Sequence, residues 1–166
     1  MHNYTTLEIA NILNAKITGN ADRTIKSISI DSRSVASGES VIFFALAGPH
    51  HNGHQFISEL YSHFGVRTFV VSNNESYSQL FPEATFIHVV DTLDALQKLA
   101  SFHRSKFSYP VVGITGSNGK TIVKEWLSQL LSADFRVVRS PKSFNSQLGV
   151  PLSVLQMDES FQIGLF

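Results

Sequence analysis

An α/β fold in two units is predicted for this 166-residue chain, and three features predict it. Apolar runs of strand length alternate with segments whose apolar residues recur at helical spacing. A stretch from Ser105 to Pro110 separates a mixed set of strands and helices from a new unit, giving expected domains at 1–107 and 108–166. That second unit opens with Val111-Val112-Gly113-Ile114-Thr115-Gly116-Ser117-Asn118-Gly119-Lys120-Thr121. A short apolar strand, a glycine-rich turn and Gly-Lys-Thr at the head of an amphipathic segment are the layout of a phosphate-binding loop.

The elements follow in order. Thr5-Thr6-Leu7-Glu8 reads as a capping box, with Ile9, Ile12 and Leu13 at helical spacing behind it, and Gly19 and Asn20 close that unit. Ile25 to Ile30 reads as one strand running into Asp31-Ser32-Arg33. Val41 to Leu46 is wholly apolar and reads as a buried strand, followed by a loop from Gly48 to Gly53. Phe56, Ile57, Leu60, Tyr61 and Phe64 mark one helix face. Thr68–Val71 and Thr85–Val90 are further strands, and Asp91 caps a helix carrying Leu93, Leu96, Leu99 and Ala100. Beyond the junction come a strand over Tyr109–Thr115, a helix over Lys120–Ser132 and a strand at Arg136–Arg139. A loop through Pro141 and Asn145 then leads to a helix near Pro151–Met157 and a last strand at Phe161–Phe166. A nucleotide-binding α/β sheet needs several parallel strands covered on both faces, more than residues 108–166 supply. The chain is therefore expected to be a fragment ending inside its second domain.

Composition narrows the class. Thirteen basic and thirteen acidic residues cancel, so no nucleic-acid or anionic-membrane surface is expected. Cysteine is absent, which excludes a disulfide framework and a thiolate metal site and fits a reducing cytoplasm. No signal peptide is visible, and no apolar run approaches the ~20 residues of a membrane helix. Most of the thirteen phenylalanines fall on core-facing positions, so packing accounts for them better than base stacking.

The loop residues each have a physical role. Gly116 and Gly119 can adopt backbone angles closed to other residues and leave room for an anion. The successive N–H groups of Thr115 to Thr121 can then cradle phosphate oxygens at the positive end of the next helix. Lys120 can reach the outer phosphates, and the Thr121 hydroxyl can hold Mg²⁺. The standard spacing G-x-x-x-x-G-K-[ST] would need glycine at 114, where Ile114 stands, so the assignment rests on the strand–turn–helix context. The alternative is an ordinary βα turn with a solvated lysine.

Taken together, these motifs resemble those of the Mur ligases, the ATP-dependent family that builds the peptide stem of bacterial peptidoglycan. Gly113 to Thr121 is similar to the family's ATP loop, continued by Val123-Lys124-Glu125. Asp31-Ser32-Arg33 resembles the element that contacts the UDP-sugar. Phe43-Phe44-Ala45-Leu46-Ala47-Gly48 with Asn52-Gly53-His54-Gln55-Phe56 resembles F-x-A-L-x-G followed by D-G-H-x-F. Asn145 through Gly149-Val150-Pro151-Leu152 resembles a segment of the family's dipeptide-adding member. Ile122, Asn52, Ser143 and Ser146 depart from the family's usual residues at their positions.

The resemblance implies a function. A UDP-N-acetylmuramoyl-peptide would bind through Asp31, Ser32, Arg33, Phe44, Ala45, Leu46, Asn52, Gly53, His54 and Asn145. ATP would bind through Thr115, Gly116, Ser117, Asn118, Gly119, Lys120 and Thr121, with Lys120 and Thr121 catalytic and Thr121 on Mg²⁺. The reaction would join D-alanyl-D-alanine to a UDP-N-acetylmuramoyl-tripeptide through an acyl phosphate, in a cytoplasmic, monomeric enzyme, possible fusion to an alanine racemase left open. The family's Mg²⁺-binding glutamate, carbamylated lysine and adenine-binding residues would lie beyond Phe166, which implies an inactive fragment. Alternatives are the sister ligase adding the diamino acid, and a non-catalytic UDP-sugar-peptide binding module. Asp31-Ser32-Arg33 alone also reads as a strand end with a turn, and Asn145 alone as turn chemistry. His50, His51 and His54 invite a metal, but no Cys, Asp or Glu beside them completes a site.

Overall fold

A computed structural model describes residues 3–35, 38–48, 51–72, 77–141, 144 and 146–166. The chain forms two compact units, His2–Leu99 and Ala100–Phe166. In the first, β1 (Tyr4–Thr5) leads into α1 (Thr6–Leu13), then β2 (Lys16–Thr18), β3 (Thr24–Ile25) and β4 (Ser27–Ser29). A 3-10 turn (Ser32–Ser34) precedes β5 (Val41–Phe44), β6 (Ala47–Gly48) and β7 (His51–Asn52). A second 3-10 turn (Gly53–Phe56) runs into α2 (Ile57–His63), followed by β8 (Thr68–Ser72), α3 (Tyr77–Leu80) and β9 (Thr85–Val89). Helix α4 (Thr92–Ser105) contains the division between the units. The second unit holds β10 (Val111–Val112), α5 (Lys120–Leu131), β11 (Val137–Arg139), α6 (Gly149–Val154) and β12 (Ile163–Leu165).

The capping residues read from sequence do their work. The Thr5 hydroxyl accepts from Glu8 N–H at 3.1 Å while the Glu8 carboxylate accepts from Thr5 N–H at 2.7 Å, a reciprocal pair that starts α1. Asp91 accepts from the N–H groups of Leu93 and Asp94 at 2.7 and 2.9 Å and starts α4 in the same way.

The first unit is built on a five-stranded sheet in the order β2-β9-β8-β5-β4. Strands β4, β5, β8 and β9 run parallel and β2 is an antiparallel edge. All four residues of β5 are buried, as its unbroken apolar run requires of a strand covered on both faces. Phe43, Phe69 and Phe86 pack with Ile57 and Leu60 of α2, and the Phe69 and Phe86 rings stack at 5.4 Å. These phenylalanines are core, as the spacing of the sequence indicates.

The structure differs from the sequence reading at several elements. The single strand expected over Ile25–Ile30 is two, because Lys26 and Ser27 both turn their N–H groups to the Ser40 carbonyl. Thr24–Ile25 then pairs with β1 and Ser27–Ser29 with β5. The segment Gly48–Gly53, expected as a loop, includes three of the four paired residues of a small hairpin in which Ala47 pairs with Asn52 and Gly48 with His51. Strand β2 went unread, being short, half exposed and without alternation.

In the second unit three strands lie parallel in the order β10-β12-β11. Of the expected Tyr109–Thr115 strand, Val111–Val112 pair in register with β12, and the Pro110 carbonyl and Ile114 N–H extend that bonding to Gly164 and Phe166 at 3.0 and 2.7 Å before the chain enters the glycine turn. Helix α6 starts at Gly149 rather than Pro151, with Gly149 N–H bonded to the Ser146 hydroxyl at 3.0 Å, so that Pro151 falls in the first turn, where a missing N–H costs nothing. Phe107, Val138 and Met157 form the core, packed by Tyr109, Val111 and Val154. His103 is fully buried and donates from Nε2 to the Met157 carbonyl at 2.8 Å.

Candidate functional site

Two clusters of sequence candidates lie at the carboxyl ends of parallel strands, where open α/β sheets bind ligands. The first gathers on the five-stranded sheet. Asp31, Ser32 and Arg33 follow β4, Phe44–Leu46 end β5, and Asn52–His54 turn back beneath them. Asp31 accepts from Arg33 N–H at 3.0 Å, from Nε at 2.9 Å and from Nη2 at 2.8 Å. The Arg33 guanidinium, 88 % exposed, is thus held in a fork by its neighbour, and this bond and charge raise its pKa further. Phe44 and Ala45 have no exposed surface, so these two offer a ligand main chain rather than side chain.

Gly53 sets the shape of this cluster. Its N–H donates to the Leu46 carbonyl at 2.6 Å. A Cβ there would stand 2.8 Å from Leu46 N, 2.9 Å from Leu46 O and 3.0 Å from the Ala45 carbonyl carbon, so only glycine lets the two segments touch. The Asn52 side chain caps the turn, accepting from His54 N–H at 3.1 Å.

His54 is fixed from both sides of its ring. Nδ1 bonds the Asn52 side-chain oxygen at 2.9 Å and Nε2 receives Ser72 N–H at 3.1 Å. A backbone donor on Nε2 requires that nitrogen to be the acceptor, so the neutral Nδ1–H tautomer is present. Burial lowers its pKa, and the ring stacks on Tyr77 at 6.2 Å. His54 therefore ties the 3-10 turn to the end of β8, a tie that sequence alone did not reveal. Asn145, His50, Ser143 and the side chain of His51 lie outside the described residues. Among the described residues no group of three His, Asp or Glu is placed to hold a metal.

The second cluster is the glycine turn between β10 and α5. Gly116 has φ +148° and Gly119 φ +77°, both in the region that favours glycine. Gly119 caps α5, leaving the helix's first N–H groups without side-chain acceptors. Ser117 and Asn118 form the exposed tip of the turn. Lys120 folds back to donate from Nζ to the Gly116 carbonyl. A cavity of about 540 Å³ opens here, lined on one side by Gly113, Ile114, Thr115, Gly116, Lys120 and Thr121. Its other side is formed by Lys124, Ser140, Phe144, Val150 and Phe166, from α5, the ends of β11 and β12, and the start of α6. Of these, Lys124 and Val150 lie in segments that carried a sequence signal, Val123-Lys124-Glu125 and Gly149–Leu152. Ile122 is 58 % exposed and does not line the cavity. A larger cavity, about 840 Å³, lies at the opposite edge of the first sheet between β2, β9 and α4, and holds none of the candidates.

This constellation has close parallels. Residues 114–166 match the Mur ligase middle domain. A UDP-N-acetylmuramoyl-tripeptide–D-alanyl-D-alanine ligase of Treponema pallidum is 36 % identical over 150 residues, covering 87 % of this chain and 32 % of the relative. The enzyme of the same name from Haemophilus influenzae is 33 % identical over 165 residues, covering 97 % of this chain and 35 % of the relative. The chain belongs to the Mur ligase family. A crystal structure of MurF ligase from Thermotoga maritima in complex with ADP superposes on this Mur ligase chain with a TM-score of 0.69 and 31 % identity. It covers 84 % of this chain and 31 % of that one. MurF from Acinetobacter baumannii, at 24 % identity, shares the fold with a TM-score of 0.87 over the whole chain and 36 % of its own length. The Mur ligase chain described here thus spans about a third of the length of these relatives. Among the described residues no helix is long and apolar enough to cross a membrane.

Proposed function

We propose that this Mur ligase chain is part of an ATP-dependent enzyme that joins D-alanyl-D-alanine to a UDP-N-acetylmuramoyl-tripeptide in the cytoplasm. The observation that carries the reading is the strand–glycine turn–helix at Gly113–Thr121, opening on a cavity at the carboxyl edge of three parallel strands. The names of the relatives supply the substrates. Amide formation from a carboxylate in water is uphill, so the carboxylate must first be activated. Bound ATP supplies the phosphoryl group for that activation.

The residues present fit such a ligand. Positive φ at Gly116 and Gly119 is the backbone geometry a phosphate-cradling turn uses, and this supports the reading. In this reading Thr115, Gly116, Ser117, Asn118 and Gly119 hold the inner phosphates through their main chain. Lys120 exchanges the Gly116 carbonyl for the outermost phosphate and neutralises charge there. The Thr121 hydroxyl is the Mg²⁺ ligand this chain offers. In the same reading residues 1–107 form the domain that grips the UDP end, with Ser32 and Asn52–His54 contacting it and Arg33 leaving Asp31 for the diphosphate. Asn145 contacts the peptide. Binding energy from the remote nucleotide end then orients the reacting carboxylate.

The test is acceptor-dependent release of phosphate by the full-length parent. UDP-N-acetylmuramoyl-tripeptide with D-alanyl-D-alanine should stimulate release. Stimulation instead by the dipeptide precursor with a diamino acid would assign the protein to the sister reaction.

A further inference from the structure

The cavity beside the glycine turn carries two polar residues, Lys124 and Ser140, in the wall facing that turn. Ser140 follows β11 at the carboxyl edge of the sheet, its N–H bonded to the Leu165 carbonyl at 3.2 Å. The residue is 2 % exposed, yet its hydroxyl has no hydrogen-bond partner among the described residues. A buried hydroxyl left unpaired costs free energy, and native proteins rarely carry one without use. The Ser140 carbonyl, by contrast, is firmly held, accepting from Lys124 Nζ at 2.8 Å.

Lys124 is equally unusual. It is 6 % exposed and lies with Ser128 on the inner face of α5, while Ile122, Trp126 and Leu130 on the same helix are exposed. Burying an ammonium group is expensive, and an apolar side chain would fill the position at lower cost. Glu125 approaches Nζ at 4.0 Å and also pairs with Arg139 at the end of β11. Lys124 therefore pins the end of β11 to the helix that begins the glycine turn, and it does so within the cavity.

From this geometry we infer that Ser140 Oγ is a ligand-contacting hydroxyl of the nucleotide site, donating to an oxygen of the third phosphate, and that Lys124 is its positioning residue. The inference rests on the reading of Gly113–Thr121 as a nucleotide loop. The third phosphate is singled out by distance. Strand β12 lies between β10 and β11, which puts Ser140 two strand spacings, roughly 10 Å, from the strand that feeds the turn. Inner phosphates held by the turn's own N–H groups are out of its reach.

The test titrates the 166-residue chain with Mg²⁺ and either inorganic tripolyphosphate or pyrophosphate, which need no adenine pocket. Ser140→Ala should weaken tripolyphosphate roughly two- to tenfold, the return of one neutral hydrogen bond, and leave pyrophosphate unchanged. Ser140→Thr should bind like wild type. Lys124→Met should reproduce the tripolyphosphate loss and Lys124→Arg restore it; if Lys124→Met does not fold, the serine pair decides alone. Equal tripolyphosphate affinity for wild type and Ser140→Ala overturns the inference while leaving the loop reading intact, provided Lys120→Ala weakens tripolyphosphate. A wild-type chain that binds neither ligand overturns the loop reading and this inference with it.

Discussion

Replacing Gly53 with alanine probes the packing that shapes the first cluster. The new Cβ would meet Leu46 N at 2.8 Å, Leu46 O at 2.9 Å and the Ala45 carbonyl carbon at 3.0 Å. All three are main-chain atoms at the end of a fully buried strand, so no rotamer change relieves the contact. Overpacking of this kind costs about 1–3 kcal/mol, and pushing the segments apart also weakens the Gly53 N–H to Leu46 bond, worth about 1 kcal/mol. The expected loss is about 2–4 kcal/mol in the first unit. Amide hydrogen exchange of β5 and β8 across a urea series reports that unit specifically. Gly48→Ala is the control, because nothing lies within 4 Å of its Cβ position, and it should change stability by less than about 0.5 kcal/mol. A Gly53→Ala variant as stable as the control would refute the close-approach argument.

Further outcomes are expected elsewhere. Phe86→Ala should cost about 3–5 kcal/mol by the same exchange measurement, since the ring is fully buried and stacks on Phe69 and Tyr77. His54 is held neutral and its folded-state pKa lies below the unfolded value of about 6.5, so its contribution is complete above that pH and is lost as pH falls through the folded-state pKa. A thermal midpoint that drops on acidification in wild type and less so in His54→Ala fits; identical pH profiles do not. In the full-length parent, Lys120→Ala should lower turnover by about 10²–10³ while Ile122→Thr stays near wild type, and comparable damage from both would refute the loop assignment. Arg33→Ala should weaken binding of UDP in calorimetry, and unchanged affinity would remove Arg33 from the pocket.

The sequence was most legible where a local rule dictates a local structure. Thr5 with Glu8, and Asp91 ahead of Leu93 and Asp94, are helix starts because a short side chain reaches an N–H two or three residues on. Val41–Phe44 is apolar throughout because both faces of β5 are covered. What stayed hidden depends on partners far along the chain. Lys16–Thr18 is a strand only because it adds to β9 in register with Phe86–His88. The break at Lys26 follows from Ser40, and the anchoring of His54 from Ser72. The glycine turn was readable as a turn between strand and helix despite Ile114 at the place of the first glycine, since the positive-φ positions fall at Gly116 and Gly119. Its facing wall was not, because Ser140 enters the cavity only through the parallel pairing of β11 with β12.

The central claim is that the loop at Gly113–Thr121 serves to activate a carboxylate by phosphoryl transfer. Isotope transfer tests it most directly. UDP-N-acetylmuramoyl-tripeptide labelled with ¹⁸O in its terminal carboxylate is incubated with the full-length parent, ATP, Mg²⁺ and D-alanyl-D-alanine, and the released phosphate is analysed by mass spectrometry. An acyl phosphate leaves one carboxylate oxygen on phosphorus, so the account predicts one ¹⁸O in each phosphate released. Amide product accompanied by unlabelled phosphate would contradict it.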